Sequence, residues 1–101
     1  MGINVVLRSE DGSEIDLCSD PGMLFPRLLR RIDLSATVCL RFIDPYGDSV
    51  FNRLQAPALL RELAGIRPQL EANELALIDG VSLLAERVAR GTHLYLVFVG
   101  D

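Results

Sequence analysis

Residues 92–99, Thr-His-Leu-Tyr-Leu-Val-Phe-Val, give the strongest strand signal in this chain and decide its predicted fold. The stretch alternates, but both of its faces are largely apolar. One predicted face carries Leu94, Leu96 and Phe98; the other carries His93, Tyr95, Val97 and Val99. A strand that is apolar on both faces is typical of the centre of a sheet, and we therefore expect the rest of the fold to be built around it.

Two β-hairpins are predicted upstream of this strand. Residues 3–8 and 14–18 alternate between apolar and polar side chains and are joined by an Asp-Gly turn, which favours a tight hairpin. Residues 36–43, Ala-Thr-Val-Cys-Leu-Arg-Phe-Ile, also alternate, and a Pro- and Gly-containing turn at 44–48 leads into extended residues 49–52. The sequence thus predicts four strands before the central one.

Three helices are predicted between the strands. The first runs from about Phe25 to Ile32, where Asp20 before a proline is a candidate cap, and the second covers residues 57–64. The third runs from Pro68 to about Arg90, with a Gly inside it that is expected to break or kink it.

The element order ββ-α-ββ-α-α-β predicts an α+β fold. We expect a two-layer sandwich in which a mostly antiparallel five-stranded sheet carries the helices on one face. The length of 101 residues allows one domain, 1–101, with a single core. Apolar residues make up 50% of a chain this short, which favours self-association or a partner surface.

Charge narrows the possible partners. The net charge is −4 with no Lys, which disfavours nucleic acid and excludes Schiff-base and P-loop lysine chemistry. A Gly-x-Gly-x-x-Gly pattern is absent, so no nucleotide cofactor is expected. The longest run without Asp, Glu or Arg, residues 91–100, is too short to span a bilayer. We therefore expect a cytoplasmic protein with reduced thiols, and the exclusive use of Arg suggests a bacterial, GC-rich source.

The sheet face opposite the helices is predicted to be mixed rather than polar. If the helices cover the face of Val5, Ile15, Leu40 and Leu96, the opposite face holds a second set of side chains. They are Asn4, Val6, Arg8, Glu14, Asp16, Cys18, Thr37, Cys39, Arg41, Ile43, His93, Tyr95, Val97 and Val99. Such a face is either an interface or a solvated surface with cross-strand ion pairs such as Arg8 with Glu14.

Several residues on that predicted face could bind a metal or act in catalysis, but their spacing does not match an established motif. Cys18, Cys39 and His93 are zinc-type ligands, with Asp16 as a fourth, but no paired ligand spacing is present. Cys39 with His93 is the best available catalytic dyad, yet no nucleophile-elbow motif accompanies it. We expect neither a metal nor a catalytic centre.

The leading hypothesis is a small non-enzymatic protein-interaction module. It would act as a homodimer, through the open sheet face or a sheet edge, or as an acidic inhibitor of the immunity type that binds a basic partner. The predicted partner-binding residues are Arg8, Arg41, Ile43, Tyr46, His93, Tyr95 and Val97. The alternative is a small enzyme or ligand-binding domain with a pocket around His93, Tyr95, Arg41 and Cys39.

The ligand spacing predicts that the purified protein contains no stoichiometric zinc, because no two candidate ligands form a paired motif. Elemental analysis of the purified protein checks this. About one zinc per chain, lost when Cys18 and Cys39 are both changed to Ser, would contradict the prediction.

Overall fold

A computed structural model describes residues 2–100 as an α+β fold with one four-stranded antiparallel sheet and three helices. The elements in chain order are β1 (Asn4–Ser9), β2 (Glu14–Cys18), α1 (Leu24–Arg31), β3 (Asp48–Phe51), α2 (Ala56–Ile66), α3 (Ala72–Arg90) and β4 (Leu94–Val99). Short 3-10 turns cover Leu40–Phe42 and Arg67–Gln69.

The strand order is β2-β1-β4-β3, so β4 lies inside the sheet as its apolar sequence predicts. It pairs antiparallel with both neighbours: Leu96 lies opposite Leu7 of β1 and Phe51 of β3. The Asp-Gly hairpin between β1 and β2 is confirmed, and its Gly12 has a φ of 90°, which favours glycine. The two central strands, β1 and β4, therefore come from opposite ends of the chain.

The core lies between the helices and one face of the sheet. Val5 and Leu96, both fully buried, contribute to it from the two central strands. Phe98 is also fully buried, and its ring meets the rings of Phe25 and Phe51 edge-on, with centroids 5.6 and 5.5 Å apart. This arrangement of aromatic rings fixes α1 and β3 against the central strand.

The predicted strand over residues 36–43 is wrong, and the sheet accordingly has four strands rather than five. This segment is irregular and contains only the 3-10 turn at Leu40–Phe42. Its amides are satisfied by a side chain instead of a neighbouring strand, because the Glu62 carboxylate of α2 accepts the N–H groups of Val38, Cys39 and Leu40 at 2.8–3.2 Å. β3 consequently pairs with β4 and not with a preceding hairpin strand.

The predicted faces of β2 are reversed. Ile15 and Leu17 are about half exposed, whereas Cys18 packs against α3, with its Sγ 4.0 Å from the carbonyl oxygen of Leu77. A β-bulge opposite the end of β1 changes the alternation. Gly80 also lets this strand approach the helix, since a Cβ there would lie 3.0 Å from the Cys18 Sγ. α3 continues through Gly80 without a break.

Two buried carboxylates fix the ends of the helices. The N-cap position of α1 is Met23, but the Asp20 side chain performs the expected capping: it accepts the N–H groups of Leu24 and Phe25 at 2.8 and 2.9 Å. Glu74, in the first turn of α3, binds the Arg31 guanidinium through both carboxylate oxygens at 2.7 and 2.8 Å. Arg31 therefore ties the last turn of α1 to the first turn of α3.

Leu96→Ala is expected to lower the free energy of unfolding by about 2–5 kcal/mol, because it leaves a cavity at the centre of the sheet. The matched control is Leu83→Ala on α3, where the side chain is 63% exposed and the cost should stay within about 0.5 kcal/mol. Denaturant unfolding measures both. Equal effects of the two substitutions would contradict the assignment of the buried face.

The Arg31–Glu74 pair predicts a loss of stability in acid. Hydrogen bonds from Arg31, and then from the Glu71 amide, lower the pKa of Glu74 from 4.5 to about 2. Because the pKa is lower in the folded state, this carboxylate stabilises the fold above pH 4.5, and the contribution is lost as the pH falls toward 2.

Glu74→Gln should therefore cost about 1.5–3 kcal/mol at pH 7 and make unfolding less dependent on pH between 4.5 and 2. Urea unfolding at a series of pH values measures this difference. Arg31→Ala should reproduce it, and Arg30→Ala, which removes no ion pair, should not. An unchanged pH profile in Glu74→Gln would argue against the pair as the source.

Candidate protein-interaction surfaces

The sheet face turned away from the core carries a continuous apolar row across all four strands. The register places Leu17, Val6, Val97 and Val50 side by side in strand order. The two central valines are 3% and 1% exposed, whereas Leu17 and Val50 at the ends are 51% and 54% exposed. We call this surface the open face. The two residues at the centre of its apolar row are buried, and the two residues at its ends are about half exposed to solvent.

Charged groups flank the apolar row. By register, Arg8 lies beside Tyr95 and opposite Glu14 on the open face, and Asp48 lies at the far end beside Val99. The expected Arg8–Glu14 ion pair does not form; among residues 2–100, Arg8 has no salt bridge, and its Nε is buried without a hydrogen-bond partner. The face therefore presents an unpaired cation and unpaired acids around an apolar centre.

The predicted partner-binding residues fall into three places in the fold. Arg8, Tyr95 and Val97 share the open face, as predicted. His93 precedes β4 and lies in a groove at its start. The other three, Arg41, Ile43 and Tyr46, line a separate groove beside α1, because the segment that holds them is not a strand.

The groove at the start of β4 has a volume of about 330 Å³ and is lined by residues 52–54 and 92–95. His93 has a φ of 57°, in the left-handed region, so the alternation of β4 does not extend to it. Its exposed imidazole Nδ1 lies 3.2 Å from a Glu10 carboxylate oxygen. Asn52, Arg53 and Thr92 add further polar groups to the lining, and Tyr95 joins the groove to the open face.

Neither cysteine joins His93. Cys39 is 3% exposed and does not line the groove at the start of β4 that contains His93. Burial, and then the nearby Glu62 carboxylate, raise the pKa of the Cys39 thiol, so it stays protonated at neutral pH. Burial likewise raises the pKa of Cys18. The expected pocket around His93, Tyr95, Arg41 and Cys39 is thus divided between separate parts of the molecule.

Within residues 2–100, no three His, Cys, Asp or Glu side chains are grouped closely enough to hold a metal ion. Asp16, the fourth candidate ligand, is instead used on the helix side of β2. One of its carboxylate oxygens pairs with the Arg87 guanidinium at 2.7 Å, and the other accepts the Leu17 N–H at 2.8 Å. These contacts tie edge strand β2 to α3.

The groove beside α1 has a volume of about 350 Å³. Its lining is Pro26, Leu29, Arg30, Leu34, Leu40, Arg41, Ile43, Pro45 and Tyr46. Sequence reasoning identified Arg41, Ile43 and Tyr46 but placed two of them on the sheet. It missed Glu62, which shapes the groove wall by binding backbone amides; no motif in the sequence marks such a contact.

Comparison with protein-family models, with curated proteins and with solved structures finds no match for this chain. Of the helices in residues 2–100, none combines the length and apolar character needed to cross a membrane.

Proposed function

We propose that this protein is a non-enzymatic interaction module that associates with a second copy of itself through the open face. The observation that carries the proposal is the apolar row Leu17–Val6–Val97–Val50, whose ends remain half exposed. Pairing two such rows removes apolar surface from water on both copies at about 25 cal/mol per Å² before association costs.

The charges of the open face suit a twofold arrangement. In an isologous dimer the same surface meets itself, so Arg8 of one copy must find an acid on the other to avoid like-charge contact. Glu14 and Asp48 lie on the same face and supply such acids. An acceptor from the partner would also satisfy the buried Nε of Arg8.

The area of the open face sets the expected affinity. Four strands about 4.8 Å apart and four to six residues long span roughly 19 by 17 Å. This is less than the about 800 Å² per partner of a standard interface, so the sheet faces alone support a weak dimer. We therefore expect association in the micromolar range rather than an obligate assembly.

Inhibition of a basic partner is a second candidate function. Its support is the β1–β2 hairpin, which places Glu10, Asp11 and Glu14 within five residues of a chain with net charge −4, while the nearby Asp16 is paired with Arg87. Hydrogen bonds from Ser9 and Ser13 lower the pKa of Asp11 to about 2, which keeps it ionised. We place either function in the cytoplasm, where Cys18 and Cys39 stay as free thiols.

A small enzyme or ligand-binding domain has less support. The groove at His93 has an exposed imidazole paired with Glu10, and its lining holds no thiol. A ligand in this groove would meet Arg53, Asn52 and Tyr95 rather than the predicted set with Cys39.

Sedimentation at increasing concentration tests the dimer. We expect the wild-type protein to shift from about 11 kDa toward twice that mass at high micromolar concentration. Changing both Leu17 and Val50 to Glu should abolish the shift without unfolding the protein, because both side chains are already half exposed. A wild-type protein that remains monomeric throughout this range would contradict the proposal.

The matched control is Leu83→Glu on α3, a similarly exposed apolar residue that lies off the open face but lines a groove with Leu17 at the β2 edge. It should dimerise like the wild type. Loss of the dimer in this control would place the interface at the edge between β2 and α3 instead.

A further inference from the structure

The groove beside α1, lined by Arg30 and Arg41 among others, has features that the open face does not explain. It lies between α1 and the irregular segment that follows it, with an apolar floor formed by Leu29, Leu34 and Leu40. Arg30 stands on the α1 side and Arg41 on the loop side. The groove thus combines an apolar floor with a cation on each wall.

Neither of these arginines has an acidic partner among residues 2–100, although the protein as a whole is acidic. The neighbouring carboxylates accept backbone amides instead. Asp33 accepts the Ser35 N–H at 3.0 Å, Asp44 accepts the Tyr46 N–H at 2.9 Å, and Glu62 holds three amides of the loop. The positive charge on the groove walls is therefore available to an external anion.

Large exposed side chains stand beside the groove. Phe42 is 64% exposed and Tyr46 is 81% exposed. The Arg41 guanidinium carbon lies 4.7 Å from the centre of the Phe42 ring, a cation–π contact between neighbouring residues. Arg and Tyr, both present here, are residues that protein interfaces use most for binding energy.

The loop that carries these groups is fixed before any partner arrives. Glu62 anchors residues 38–40 to α2, and the Thr37 hydroxyl donates to the Leu34 carbonyl while accepting the Arg41 N–H. The adjoining Gly100 amide donates to the carbonyl of Gly47 at 2.8 Å, which ties the following turn to the end of β4. A prearranged loop lowers the entropy cost of binding.

We propose that this groove binds an acidic peptide segment of a partner protein that carries one or two large apolar side chains. The acidic residues of the peptide would complement the charge of Arg30 and Arg41, which both line the groove and have no acidic partner among residues 2–100. The apolar floor is the reason for the large apolar side chains of the peptide, since a small inorganic anion would leave this floor unfilled. This site is independent of the open face and does not rest on the proposed dimer.

Two arginines within a chain of net charge −4 are too few for nucleic acid, whose affinity depends on neutralising many phosphates. A peptide needs only local complementarity. Carboxylates on either side of an apolar anchor match the arrangement of the groove walls and floor.

The test is an NMR titration of the isotope-labelled protein with the capped peptide Glu-Asp-Glu-Phe-Leu-Asp-Glu-Asp. We expect saturable shifts concentrated in residues 26–46. Changing both Arg30 and Arg41 to Glu should weaken binding at least tenfold, and changing both to Lys should weaken it less than about threefold. The matched control is Arg53→Glu, an exposed arginine outside the groove, which should remain within twofold of the wild type.

Two further peptides test separately the need for large apolar side chains and the need for acidic residues. Replacing Phe-Leu by Ser-Gly, or the acids by Gln, should each weaken binding at least tenfold. Undiminished binding of the Ser-Gly peptide would reduce the site to a surface for anions and overturn the proposal. The proposal would also be overturned if the first peptide did not bind at all, or if Arg53→Glu weakened its binding as much as the Arg30/Arg41 double substitution does.

Sedimentation of the same variants separates this site from the dimer. The Arg30/Arg41 double variant should dimerise like the wild type. If it is monomeric while the Leu17/Val50 variant still dimerises, the groove holds the acidic hairpin of a second copy. That result would overturn a separate peptide partner and the open-face dimer together.

Discussion

The constraint on which this structure depends is that β4 is apolar on both faces and must be covered on both. Its backbone hydrogen-bonding groups pair with β1 and β3, and the helices cover one of its faces. The other face has only its own neighbours: the central valines of the open face are buried by adjacent side chains, while the edge strands leave Leu17 and Val50 half exposed. These two side chains are the part of the apolar row that residues 2–100 leave half exposed.

Outside the sheet, three carboxylates bind backbone amides or an arginine and so fix the segments around them. Asp20 accepts amides at the start of α1, Glu74 joins α1 to α3, and Glu62 takes up three amides of the segment after α1. A buried amide without a partner is costly, so each carboxylate allows backbone to leave regular structure without that penalty. The last contact also gives the groove beside α1 its fixed wall.

The open face and the groove lie on different elements and differ in chemistry. The open face is an apolar row flanked by Arg8, Glu14 and Asp48. The groove has an apolar floor and is lined by Arg30 and Arg41. Strands carry the open face, whereas α1 and the loop that follows it carry the groove.

The sequence by itself determined the α+β class, the central place of β4, the β1–β2 hairpin, the Asp20 cap and the three helices. These follow from local patterns: apolar periodicity, a turn that needs glycine and a side chain that caps its own helix. Residues 36–43 alternate as a strand would, yet only the tertiary structure decided their conformation, because Glu62, more than twenty residues away, binds their amides. The faces of β2 were likewise decided by α3, where Gly80 admits Cys18 and Arg87 pairs with Asp16. Alternation reports which residues share a side of a strand, but the partner that the strand meets decides which side is buried.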